Sequence, residues 1–185
     1  MTQTNLLLIS GSLRGGSWNR KLVIEAARLF DGNPFMADLD LPLYSGDIED
    51  RAGIPAKVRQ FHAQIAAADA VAISTPEYNQ SLSGVLKNVL DWVSRVDGNP
   101  WAEKPVAIMS AAAGRAGGAR AQYSLRHALN PFQPRLLTGP EVMVAGPDGE
   151  FDAEGRLTDE LYRNALSALM AKLKAETGCA ARMAA

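Results

Sequence analysis

The chain has 185 residues, is 47% hydrophobic, and sets 19 Lys and Arg against 20 Asp and Glu for a net charge of -1. Such a length predicts one domain spanning residues 1–185, with enough apolar mass to cover both faces of a sheet. The basic residues are scattered, which excludes a nucleic-acid footprint. The lack of a basic leader, or of any apolar run near the roughly 20 residues of a bilayer span, points to a cytoplasmic protein with no membrane partner. Cys179 is the only cysteine and sits in an Ala-rich tail, so neither internal disulfides nor cysteine metal cages are expected.

The first apolar run, Leu6–Ile9, predicts a strand over Asn5–Ser10. It hands over to a helix near Asn19–Phe30 through Gly11-Ser12-Leu13-Arg14-Gly15-Gly16-Ser17-Trp18-Asn19, a turn rich in glycine and hydroxyls. Free N–H groups at a helix start, the positive end of its dipole, the hydroxyls of Ser12 and Ser17 and the charge of Arg14 would converge on one anion. An ordinary strand-to-helix loop capped by Ser17 or Asn19 would also read this way. Gly11 and Gly16 have Walker A spacing, but Ser17 and Trp18 follow where Lys and Ser/Thr are needed, so nucleoside triphosphate chemistry is excluded. The dinucleotide pattern Gly-x-Gly-x-x-Gly is absent here and at Gly114–Gly118. A terminal monophosphate fits best.

Further along, the pattern predicts a strand near Phe35–Asp38, a helix near Pro55–Ala68, a strand near Ala70–Ser74 and a helix near Ser83–Val96. A strand near Val106–Ser110, a helix near Gly117–Leu129, a strand near Glu141–Val144 and a helix near Thr158–Glu176 complete the series. Pro55 suits a helix start, and Thr158 is a plausible cap. Strands and helices in alternation predict a parallel sheet covered on both faces, a three-layer α/β/α sandwich. In a flavodoxin-like order 2-1-3-4-5, ligands bind outside the carboxyl ends of strands one and three. The Gly11–Asn19 loop, the Thr75-Pro76-Glu77-Tyr78-Asn79 turn and the Ser110–Gly114 segment would then share one rim.

Gly11-Ser12-Leu13-Arg14-x-x-Ser17-x-Asn19-Arg20 and Pro76-Glu77-Tyr78-Asn79-x-Ser81-x-x-Gly84-x-Leu86-Lys87-Asn88-x-x-Asp91-Trp92 closely resemble the NAD(P)H-dependent FMN reductases, above all their chromate, quinone and azo-dye reductase branch. The likeness continues through Ser110 and Gly114-x-x-Gly117-Gly118-x-x-Ala121-Gln122. It implies a flavodoxin-like fold, bound FMN, and a homodimer or homotetramer with flavin sites near the subunit contact. It further implies hydride transfer from NADPH or NADH to FMN, then electrons to quinones, azo compounds, metal oxyanions such as chromate, or free flavin. By position, the resemblance has Ser12, Arg14, Ser17, Trp18 and Asn19 hold the phosphate. Pro76, Glu77, Tyr78 and Asn79 line the ring and ribityl chain, and Ser110 touches the flavin. The family usually carries Phe or Tyr where this chain has Trp18.

The residues of the second turn agree with that implication. Pro76 holds Thr75 extended, Tyr78 offers a π-face, and Asn79 can donate and accept in the plane of a heteroaromatic ring. With the chemistry resident in a flavin, no catalytic side chain is required. An electron-carrying flavodoxin is the alternative, although its docking favours a more acidic surface. A receiver-like signalling domain is a second alternative; it needs acidic residues where this chain has Ser10-Gly11 and Thr75-Pro76. His62 and His127 lack companions at metal spacing, so no metal site is expected, and the acidic stretch Glu150–Glu154 has Leu161 where a calcium loop needs Glu. Arg115 and Arg120 flank the Gly114–Gly118 glycines and could attract the phosphates of a nicotinamide nucleotide. On the predicted helix Gly84–Val96, the residues Val85, Val89, Trp92, Val93 and Val96 form an apolar stripe that Leu86 and Leu90 widen, which points to a subunit interface.

Overall fold

A computed structural model describes residues 3–183. Six strands are laid down in the order β1 (Asn5–Ser10), β2 (Asn33–Met36), β3 (Ala70–Thr75), β4 (Pro105–Ala112), β5 (Arg135–Leu136) and β6 (Met143–Ala145). The helices are α1 (Trp18–Phe30), α2 (Gly46–Ala52), α3 (Ala56–Ala67), α4 (Gly84–Val93), α5 (Ala119–Leu129) and α6 (Glu160–Met183). All pairings are parallel, in the order β2-β1-β3-β4-β5, with β6 also on β4. This is the expected flavodoxin-like arrangement.

Alternation along the strands builds the layers. Leu6 and Leu8 of β1 point to one face and pack with Leu22, Val23 and Phe30 of α1 and Leu166, Leu169 and Leu173 of α6. Leu7 and Ile9 point to the other and pack with Phe61 and Ile65 of α3, Leu86 and Val89 of α4 and Leu125 of α5. Each fully buried Leu, Ile or Phe contributes about 1.5–3 kcal/mol, so two apolar layers hold one sheet between them.

The expected fifth strand, Glu141–Val144, is instead two fragments. β5 pairs with the start of β4 through Pro105↔Arg135 and Val106↔Leu136, while β6 pairs with its end through Ser110↔Met143 to Ala112↔Ala145. The intervening Gly139–Pro140 segment turns away, because Pro140 has no N–H for a ladder. Helix α2 has no buried residue, so no apolar period announced it. Strand β2 starts and ends two residues before the expected Phe35–Asp38. At α6 the cap is Asp159, not Thr158: its Oδ1 accepts the Tyr162 N–H at 3.0 Å. Cys179 lies outside the residues whose side chains are described.

Most of the apolar stripe of α4, Trp92 included, is spent within its own subunit, which corrects the expected interface; Val85 and Val96 stay part-exposed. Leu86, Val89, Leu90, Trp92 and Val93 are all at most 4% exposed. Trp92 Nε1 donates to Pro42 O at 2.8 Å, and its ring meets Tyr44 edge-on at 5.0 Å. Asn88 completes the clamp, accepting the Tyr44 N–H at 2.8 Å and donating to Pro42 O at 3.0 Å. The stripe is wide because α4 covers the sheet and the 42–44 segment at once.

Candidate functional site

The loop between β1 and α1 is organised by its own hydroxyls. Ser12 Oγ accepts the Arg14 N–H at 3.3 Å, and the Ser17 N–H donates to Arg14 O at 3.1 Å. Ser17 caps α1, with Oγ accepting the Arg20 N–H at 3.4 Å and leaving the hydroxyl proton free to donate. The first amides of α1 have no partner within the helix. Arg14 and Gly15 are exposed beside them, and nothing lies within 4 Å of where a Cβ would stand on Gly15 or Gly16. An anion therefore meets hydroxyl donors, free amides and a guanidinium in one open turn.

Two residues expected in that cradle face elsewhere. The Trp18 ring stacks on Phe151 at 5.7 Å with Lys21 Nζ 4.4 Å from its centre, so it anchors the loop before α6. Its main-chain N–H, in the first turn of α1, remains open to a ligand. Asn19 is buried, and its amide turns into the sheet: Nδ2 donates to Ala111 O at 2.9 Å, while Oδ1 accepts the Ala111 N–H at 2.9 Å and the Ser74 hydroxyl at 2.8 Å. Strand β3 ends its pairing with β4 at Thr75↔Ser110, and Ser110 and Ala112 bond toward β6. Ala111 thus presents its N–H and C=O to a strand that has already left. The Asn19 amide stands in for the missing rung and fastens α1 where β3 and β4 part.

After β3, Pro76 is buried and the chain makes a tight hairpin. The Tyr78 N–H donates to Ser81 O at 3.2 Å, and the Ser81 N–H returns to Tyr78 O at 3.1 Å. Asn79 and Gln80 take φ of 50° and 65°, the left-handed pair of a type I′ turn. Tyr78 is carried 56% exposed. Asn tolerates this conformation, whereas the Cβ of Gln80 is strained in it. Gln80→Gly is expected to stabilise the fold by about 1 kcal/mol and raise the melting midpoint by roughly 2–4 °C, measured by scanning calorimetry. An unchanged or lower midpoint would contradict the strain.

The β4–α5 loop is rigid for a different reason. A Cβ on Gly117 would lie 2.4 Å from Met143 O, and one on Gly118 2.7 Å from Ser110 Cβ. Ser110, expected against the flavin, is fully buried; its hydroxyl donates to Gly117 O at 2.6 Å and accepts from Gln122 Nε2 at 2.9 Å. Gln122 also donates to Val142 O at 2.9 Å, a supporting role that sequence reasoning missed. Its signal was an amide on the same apolar face as Leu125 and Leu129. Glu77 likewise turns from the expected ring contact. Its Oε2 accepts the N–H groups of Arg120 at 3.0 Å and Ala121 at 3.3 Å, capping α5 where Gly118 has no side chain to do so. Arg120 lies 3.7 Å from the same carboxylate, so it is partly committed.

Two clefts open on this rim. One of about 320 Å3 lies between Glu77 and residues 112–120, with Arg115 at its mouth. The other, about 510 Å3, lies between the first loop and the end of β2. Among the described residues Arg14, Arg20 and Arg115 have no ion-pair partner, whereas Arg28, Arg95, Arg120 and Arg135 do. Near the larger cleft, the Lys57 ammonium 2.7 Å from Asp38 holds that carboxyl below its usual range. Arg14, Arg20 and Arg115 thus leave free guanidinium charge at the rim, facing the carboxylates of Asp38, Asp40 and Glu77.

Fold and rim together define a flavodoxin-type α/β protein with an open, donor-rich turn at the start of α1 and the Pro76–Asn79 hairpin on the same rim. The model of the NADPH-dependent FMN reductase family matches residues 4–148, and the chain belongs to that family. Membership makes it an FMN-dependent oxidoreductase that draws electrons from NADPH or NADH. The chain is 47% identical over 161 residues to an NAD(P)H-dependent FMN reductase of Pseudomonas aeruginosa, covering 85% of this chain and 86% of that one. It is 42% identical over 160 residues to the quinone reductase of Escherichia coli K12, covering 84% and 85%. Its fold superposes on the flavoenzyme NAD(P)H:acceptor oxidoreductase FerB of Paracoccus denitrificans with a TM-score of 0.85 at 31% identity, over 95% of this chain and 97% of that one.

Proposed function

We propose that this chain is a single-domain NAD(P)H:quinone reductase, with azo compounds, metal oxyanions such as chromate and free flavin as further small-molecule acceptors. The observation that carries the reading is the meeting of the Ser12–Ser17 cradle and the Pro76–Asn79 hairpin at the ends of β1 and β3. FMN, when bound, supplies the two-electron redox chemistry. Ser12, Ser17, Arg14 and the first amides of α1 hold its phosphate. Pro76, Tyr78 and Asn79 flank the ring, while Glu77, Asn19 and Ser110 hold the surrounding loops in register. Trp18 contributes through its main chain. One flavin at this rim means that reductant and acceptor meet its ring in turn.

The direct test is spectroscopic. The purified protein should be yellow, bleach on anaerobic addition of NADPH, and regain its colour with a benzoquinone. A colourless protein that takes up no added FMN would sink the proposal. Arg14→Ala should weaken FMN binding by about 1.5–3 kcal/mol, the worth of a charged hydrogen bond, read by titrating apoprotein. Equal affinity would remove Arg14 from the cradle.

The enzyme is further proposed to work in the cytoplasm as a homodimer or homotetramer. Among the described residues no helix is long and apolar enough to cross a membrane. Leu13 and Tyr78, on the site's own loops, stay 53% and 56% exposed, which favours cover by a second copy. A monomeric mass in sedimentation would count against that assembly.

A further inference from the structure

The larger cleft lies on the β2 side of the first loop, which lines it through Ser12, Leu13, Arg14 and Gly15, while neither Ser17 nor the Pro76–Asn79 hairpin reaches it. Arg14 borders it from the loop, whereas Arg20 comes from α1 and belongs to this cleft alone. Opposite them stands the end of β2. Asp38 is already spent there, its Oδ2 bonded to Lys57 at 2.7 Å and its Oδ1 accepting the Asp40 N–H at 3.0 Å. The Asp40 carboxylate has no hydrogen-bond donor among the described residues, and Leu13, Met36 and Leu39 supply apolar wall.

An unpaired guanidinium, an unpaired carboxylate and an apolar wall match a phosphate, a sugar hydroxyl and a nucleobase. Strands lie about 4.8 Å apart, so this cleft stands about 10–14 Å from the ring slot at β3 and β4, a span that a pyrophosphate bridge covers.

We infer that this cleft receives the adenosine half of the reductant, with Arg20 holding the 2′-phosphate of NADPH and Asp40 a ribose hydroxyl. Arg20 is thereby the residue that favours NADPH over NADH. The inference rests on the reading of the chain as an NAD(P)H-driven flavoenzyme.

The test uses the FMN-loaded protein. Arg20→Ala should raise the KM for NADPH at least tenfold, leave the KM for NADH within twofold, and leave kcat for both unchanged. Arg20→Lys should restore part of the preference. In calorimetry, adenosine 2′,5′-bisphosphate should bind wild type more tightly than 5′-AMP does, and Arg20→Ala should abolish the difference. Equal KM shifts for both nucleotides, or no shift, would overturn the assignment. Release of FMN from Arg20→Ala, seen as free-flavin fluorescence, would give the cleft to the flavin phosphate and overturn it while leaving the flavoenzyme reading intact. Failure of wild type to oxidise either nucleotide would instead fall on that reading. The Arg20 side chain is exposed and makes no hydrogen bond among the described residues, so its loss leaves the fold in place.

Discussion

Asn19→Ala is expected to cost about 4 kcal/mol of stability, lower the melting midpoint by roughly 10 °C and release the flavin. The variant leaves the Ala111 N–H, the Ala111 carbonyl and the Ser74 hydroxyl unpaired in a buried site. Each unsatisfied group costs about 1–3 kcal/mol, more than the mean worth of a hydrogen bond. The effect on cofactor follows because the same amide sets α1 against the gap between β3 and β4. Riboflavin, which lacks the phosphate, separates two roles. If Asn19 acted on the phosphate itself, the variant would lose affinity for FMN and keep it for riboflavin. A positioning residue loses both, which is the expected outcome. Asn19→Asp keeps the two acceptor contacts and loses the donor to Ala111 O, so an intermediate midpoint should be seen.

Trp92→Glu should unfold the protein instead of dissociating it. The indole is fully buried, bonded to Pro42 O and edge-on to Tyr44. Placing a carboxylate there removes the largest side chain on α4 and leaves a charge with no partner, a loss above about 5 kcal/mol and most of the stability of an ordinary domain. Circular dichroism should lose its helical signal before light scattering reports a change in mass. A folded species of lower mass would restore α4 as an interface. Trp92→Phe, which keeps a ring but loses the bond to Pro42 O, should cost about 1–2 kcal/mol and stay folded.

Much of the fold was legible because the signals are local. Leu6–Ile9 and Ala70–Ser74 are short apolar runs bounded by turn residues, and α1, α3 and α5 carry helical periodicity. Helix α2 buries nothing, so it left no such pattern. β5 is two residues long, and the Arg135 N–H joins it to β4 by donating to Lys104 O, a pairing with no local sequence signal.

In the site, glycines and hydroxyls located the cradle, since turn chemistry is also local. Side-chain direction was not legible. Asn19, Glu77 and Ser110 are polar residues in the right loops, and their inward turns depend on where β3 stops, where α5 begins and how closely Gly117 packs on Met143. Trp18 took its place from Phe151, which lies far along the chain. The stripe on α4 misled for a related reason: periodicity reports how much of a helix is covered, not what covers it.

Both rims of the sheet share a property that bears on how copies of this chain can meet. At one rim, β2 is only four residues long and includes Pro34, which has no N–H to offer an incoming strand. At the other, β5 and β6 are fragments of two and three residues that face β4 in separate places. Neither rim presents an unbroken row of main-chain donors and acceptors, so strand addition between molecules has no template. Crowded or partly heated samples should therefore resist fibrous stacking, and any ordered union of subunits must be made by helix faces and loops.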